Sequence, residues 1–81
     1  MYSDKDYRID LIRGMNAIVI SMNNENAYMR WINIVPDQCD DDDLEYIAES
    51  DELFTETVQL FVKIMKWYLK DGLYILGKLY K

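Results

Sequence analysis

Apolar residues recur every three to four positions from the beginning of the chain. Tyr7, Leu11, Ile12, Met15, Ile18, Val19 and Met22 fall in one sector of a helical wheel, while Arg8, Asp10, Arg13, Asn16 and Ser21 mostly fall outside it. This spacing predicts an amphipathic helix. Ser3 or Asp4 can cap its start, and the Asn23-Asn24 pair can end it or begin the next turn. The β-branched run Ile18-Val19-Ile20 favours a strand locally, but the helical period holds on both sides of it. Gly14 costs this helix about 1 kcal/mol relative to alanine. A second helix is predicted from about Glu25 to Val35, with Ala27, Tyr28, Trp31, Ile32, Ile34 and Val35 on one face and Met29, Arg30 and Asn33 opposite. Pro36 stops it, because the residue before a proline is pushed out of the helical region. A short third helix, about Asp41 to Glu49, carries a narrow stripe of Leu44, Ile47 and Ala48.

The longest helix is predicted from Glu52 to Lys70, begun by Ser50 or Asp51 and ended at Asp71-Gly72, where glycine suits a left-handed cap. Its apolar side chains cover roughly 220° of the circumference, against the ~100° stripe of a helix that faces one core. Only Thr55, Glu56, Gln59, Lys63, Lys66 and Lys70 form a wet face. Such a helix either sits at the centre of its own domain or shares its second flank with another chain, for instance in a homodimer. Leu73 to Tyr80 reads as a short hairpin turning near Leu76-Gly77 or as an extended strap. The expectation is a single all-α domain over residues 1–81: a compact bundle of about four helices with a short extended or hairpin tail. Trp31, Phe61 and Trp67 are expected in its core.

Composition supports a folded chain. At 51% hydrophobic and 14% aromatic residues, it lies far from the signature of disorder. Eighty-one residues allow one domain and little surplus core. The single cysteine, Cys39, cannot close an intramolecular disulfide and reads as a bystander thiol suited to a reducing compartment. Residues 1–8 lack the apolar centre of a signal peptide, and no apolar run approaches the ~18 residues that span a bilayer. The expected location is cytoplasmic.

Little in the chain points to catalysis. Histidine is absent, removing the commonest general base and the commonest zinc ligand. One cysteine cannot build a structural zinc site, and the three glycines are too scattered for a phosphate-cradling loop. A calcium loop beginning at Asp41 would place Tyr46 where glycine is required. The expectation is therefore a non-enzyme with no catalytic residue, cofactor or metal.

Charge is the feature that departs from an ordinary helical domain. Of 15 acidic residues, ten lie between Asp37 and Glu56 with no Lys or Arg among them, whereas residues 57–81 carry five bases against Asp71. Carboxylates in a first turn cap the helix and complement its positive end, which accounts for Asp40, Asp41, Asp42 and Asp43. It does not account for Glu45, Glu49, Asp51, Glu52 and Glu56, and like charges at i,i+4 oppose the helix. The block is either a solvated, solubilising face or a binding face for a basic partner, with Tyr46 adding contact area. Such a field repels nucleic acid and anionic membrane. Lys63, Lys66 and Lys70 alone offer little phosphate neutralisation.

A small chain with an acidic helical face, no catalytic set and one free cysteine resembles, in general character over its whole length, the small proteins by which phages and other mobile elements block host defence, anti-CRISPR proteins among them. Some of these present carboxylates where a basic groove expects phosphates. The resemblance implies a stoichiometric inhibitor that docks on a basic nucleic-acid-binding surface of a host enzyme through Asp40, Asp41, Asp42, Asp43, Glu45, Tyr46, Glu49, Asp51, Glu52 and Glu56. The alternative is a small helical structural or adaptor protein whose acidic patch serves solubility only.

Overall fold

A computed structural model describes the backbone of residues 2–37 and 39–79 and, in the last helix, the side chains as far as Lys70. Four helices make up the fold, with no strand among the described residues: α1 (Asp4–Ser21), α2 (Glu25–Trp31), α3 (Asp41–Glu49) and α4 (Asp51–Leu79). The all-α bundle expected from the periodicity is what the chain forms.

Local chemistry sets most of the boundaries. Ser3 caps α1 and exchanges hydrogen bonds with Asp6 in a capping box. The two asparagines divide the next turn between them. Asn23 takes the left-handed conformation (φ 51°) that ends α1, and the Asn24 side chain accepts the Ala27 N–H to start α2. Ser50 begins α4 by accepting the Leu53 N–H at its hydroxyl and the Phe54 N–H at its carbonyl.

Two boundaries differ from the sequence expectation. α2 ends at Trp31, four residues before Val35, and the chain continues as a tight turn in which the Ile34 and Val35 N–H groups both point back to the Trp31 carbonyl. This turn drops Val35 into the core. At the other end, α4 does not stop at Asp71-Gly72 but runs on to Leu79, so the hairpin or strap expected over 73–79 is instead helix; Tyr80 lies outside the described residues. One glycine costs a helix only about 1 kcal/mol, no proline follows it, and Leu69, Leu73 and Leu76 keep the helical spacing through it.

The core is drawn from every element: Ile12, Met15 and Val19 of α1, Ala27 and Trp31 of α2, Val35 of the turn that follows, Leu44, Ile47 and Ala48 of α3, and Ile64 of α4. The Trp31 ring meets Phe61 edge-on at 6.0 Å. α1 and α4 each touch the three other helices, whereas α2 and α3 do not touch each other. α1 and α4 join them, and the turn through Ile34 and Pro36 lies on the side toward α3.

The buried stripe of α1 is rotated from the predicted one. Tyr7 and Ile18 are exposed, while Arg8 and Asn16 are half-buried. Both polar residues have work inside: Asn16 Oδ1 accepts the Trp31 indole N–H at 2.9 Å, and Arg8 donates to the Ala48 carbonyl at 3.1 Å. On α4 only Thr57 and Ile64 are fully buried among the described side chains, and Phe61 and Trp67, expected in the core, are half-buried. Arg30 covers Trp67 from outside, its guanidinium 5.5 Å from the ring centroid.

Candidate protein-binding face

The acidic block folds into α3 and the first turns of α4, and its members separate by the side of the helix they occupy. Asp40 and Asp43 form a capping box. The Asp40 side chain accepts the Asp43 N–H at 3.0 Å, and the Asp43 side chain accepts the Asp40 N–H at 3.4 Å. For these two the structural role is explicit.

Asp41, Glu45 and Glu49, spaced i,i+4, look toward α1 and meet bases there. Arg13 pairs with Asp41, and Lys5 Nζ lies 3.6 Å from Glu45 and 3.7 Å from Glu49. Arg8 pairs with Asp51 at 2.7 Å. The repulsion that the linear sequence leaves unrelieved is thus relieved across the α1–α3 contact. Each exposed pair contributes about 0.2–1 kcal/mol. This side of the block fastens helices together.

The opposite side has no such neutralisation. Among the described residues, Asp42, Glu52 and Glu56 make no ion pair within 4.0 Å. Here the turn after α2, α3 and the start of α4 enclose a groove of about 380 Å³. Ile34 and Pro36 of the loop, Ile47 of α3 and Leu53 of α4 line it with apolar surface, and Asp43, Tyr46 and Glu56 add polar groups. Tyr46 is 70% exposed. Glu52 does not line the groove.

Of the ten residues expected to bind a partner, the fold therefore gathers Asp43, Tyr46 and Glu56 around one apolar cleft, with Asp42 exposed on the same helix as Tyr46. It turns Asp41, Glu45, Glu49 and Asp51 to tertiary pairing. The apolar lining could not be read from the sequence, because Ile34 and Leu53 look like ordinary members of buried helical faces.

A second cleft, about 370 Å³ between α1 and α3, is lined by Tyr2, Asp6, Asp10, Arg13, Asp41 and Glu45 among others. Asp6 and Asp10 extend the acidic surface onto α1, which sequence reasoning missed; only the α1–α3 contact brings them beside Asp41. The Tyr2 hydroxyl donates to Asp10 at 2.7 Å, and that bond, with the nearby carboxylates, pushes the phenol up to about 12. The Asp6 carboxyl is held below its usual range because it accepts both the N–H and the hydroxyl of Ser3. Cys39, half-buried beside α3, has its thiol pushed up by burial and by Asp43 and Asp40, a setting that suppresses the reactive thiolate.

Among the described residues no three potential metal ligands converge, and no helix is long and apolar enough to cross a membrane. Compared with protein-family models, curated proteins and solved structures, the chain matches none.

Proposed function

We propose that this protein is a stoichiometric inhibitor, not an enzyme, that presents the α3–α4 acidic face to a basic nucleic-acid-binding surface of a host enzyme and excludes the substrate from it, in the manner of anti-CRISPR proteins. One observation carries the reading: among the described residues the groove keeps Asp43 and Glu56 without basic partners next to the exposed ring of Tyr46 and an open apolar floor, with Asp42 also unpaired on α3, although the chain supplies bases to the other side of the same block. Unpaired carboxylates on α3 and α4 offer negative charge where a basic channel takes phosphates. The ring and the apolar floor take up the aliphatic stems of Lys and Arg, which carry apolar surface up to their charged ends. Long-range attraction speeds the encounter and contact area holds the complex.

A second reading, a small helical structural or adaptor protein, is favoured by the other half of the block, since Asp41, Glu45, Glu49 and Asp51 are occupied in holding α1 to α3 and α4.

The two readings separate in an inhibition assay. Purified protein titrated into a panel of guide-loaded CRISPR nucleases should abolish DNA cleavage of its target enzyme near one-to-one stoichiometry, and should do so less well when DNA is added first. Asp42→Asn combined with Tyr46→Ala and Glu56→Gln should weaken inhibition about tenfold or more while leaving helix content unchanged. Cleavage untouched by a large molar excess across the panel, or a triple variant as potent as the parent, would return the face to the adaptor reading.

A further inference from the structure

We infer that α4 pairs with α4 of a second copy as an antiparallel two-helix coiled coil. The observation is a second, largely apolar seam on α4, which shares Val58 with the side that packs against the core. Thr55, Val58, Val62, Met65 and Leu69 follow one another at alternating spacings of three and four, the a and d positions of a heptad. The buried residues of this helix, Thr57 and Ile64, lie at a different heptad position, well round the helix from that seam. Val62 is 43% exposed and Leu69 56% exposed, with Val58 and Met65 half-buried. Their spacing is that of a helix–helix seam, and its a positions, Thr55, Val62 and Leu69, all stand exposed.

Charge selects the occupant and its direction. The residues bordering the seam on one side are Glu52, Gln59 and Lys66, all exposed; those on the other are Phe54, Phe61 and Tyr68. In an antiparallel pair each border meets its own counterpart. Centred near residue 60, the pair sets Glu52 against Lys66 of the second copy twice over, Gln59 against Gln59, and Phe54 against Tyr68 twice. Val62 then layers on Val58 and Thr55 on Met65, while Leu69, opposite Asp51, closes each end of the apolar seam. A parallel pair would instead set the charged border against the aromatic one and gain no opposite-charge contact. The helix is thus complementary to itself only when reversed, as an isologous two-fold interface demands. The acidic groove lies on another side of α4, so each dimer carries two free grooves.

Sedimentation of the full chain at about 100 µM, a concentration that populates even micromolar dimers, should give twice the 9.7 kDa monomer mass. Glu52→Lys and Lys66→Glu should each weaken association about tenfold or more, and the two combined in one chain should restore it, since the swapped charges again face each other. Val62→Lys with Leu69→Lys should leave a monomer of unchanged helix content, because both side chains are exposed in the single chain. Spin labels at Lys70→Cys in a Cys39→Ser background should lie ~30 Å apart, the rise of about 20 residues, against roughly 10 Å for a parallel pair. A chain that stays monomeric at that concentration, a dimer that survives the double lysine variant, or the short label distance overturns the inference.

Discussion

The guanidinium of Arg8 donates to the Ala48 carbonyl at the end of α3, pairs with Asp51 at the start of α4 and lies 4.8 Å from the centre of the Phe54 ring. One side chain, 27% exposed, therefore serves three purposes: it satisfies a helix-end carbonyl, neutralises a carboxylate and covers an aromatic face. A wheel that sorts residues into apolar and polar places it outside the core, and misplaces Asn16 for the same reason. Both are polar groups facing inward because a specific partner waits there, and the partners, Ala48 and Trp31, are 40 and 15 residues away. Gly14 is the opposite case, a residue with no visible duty. It sits in α1 on the exposed side, and a Cβ there would meet nothing within 4 Å. Gly14→Ala should stabilise the protein by about 0.5–1 kcal/mol through reduced freedom of the unfolded chain, read as a raised urea midpoint with unchanged slope. A neutral or lower midpoint would contradict the open space around Gly14.

Helix identity was legible in the chain, and helix length less so. α3 begins and ends at the expected residues because its signals are all local: the Asp40 cap, the narrow stripe and the Ser50 boundary. α2 is shorter than its period suggests because Ile34 and Val35 satisfy the helical period while lying in a turn, where Pro36 already constrains the backbone. α4 was read too short because Asp71-Gly72 looks like a stop, yet a stop signal is only a small local preference that an apolar repeat running through it can outweigh. The two tryptophans show what element position does to energetics. Trp31 is fully buried and bonded to Asn16, so Trp31→Ala should cost about 3–5 kcal/mol. Trp67, half-buried beneath Arg30, should cost only about 1–2 kcal/mol on truncation. Chemical denaturation of the two variants checks the ordering, and equal losses would contradict it. The candidate site shows the same division. Its carboxylates were plain in the sequence; their sorting into a paired and an unpaired side depends on where α1 lies.

For the molecule as a whole, the extents of 52 × 23 × 20 Å and a radius of gyration of 14.6 Å, against about 12 Å for a compact chain of this length, reflect a small body with one helix of 29 residues. Two groups at its α1 end are shifted in opposite directions by their hydrogen bonds. The Asp6 carboxyl is depressed below 3.8 in the fold, so its contribution is full above that value and fades as pH falls through the lower folded one. The Tyr2 phenol is raised from 10.0 to about 12, so its contribution is full below pH 10 and fades between there and about 12. Thermal melts followed by circular dichroism should therefore lose a small acid-side slope in Asp6→Asn and a small alkaline one in Tyr2→Phe. Slopes identical to the parent's would separate these groups from the stability of α1.

The lopsided charge of α4, with Asp51, Glu52 and Glu56 at its start and Lys63, Lys66 and Lys70 some ~20 Å further along, gives each single chain an electric moment along that helix. An external field exerts a torque on such a body before it exerts contact. Approaching a positively charged surface, the chain is turned so that α3 leads and the lysine-bearing length trails. Pairing two chains head to tail cancels that moment, so a dimer would arrive without preferred heading.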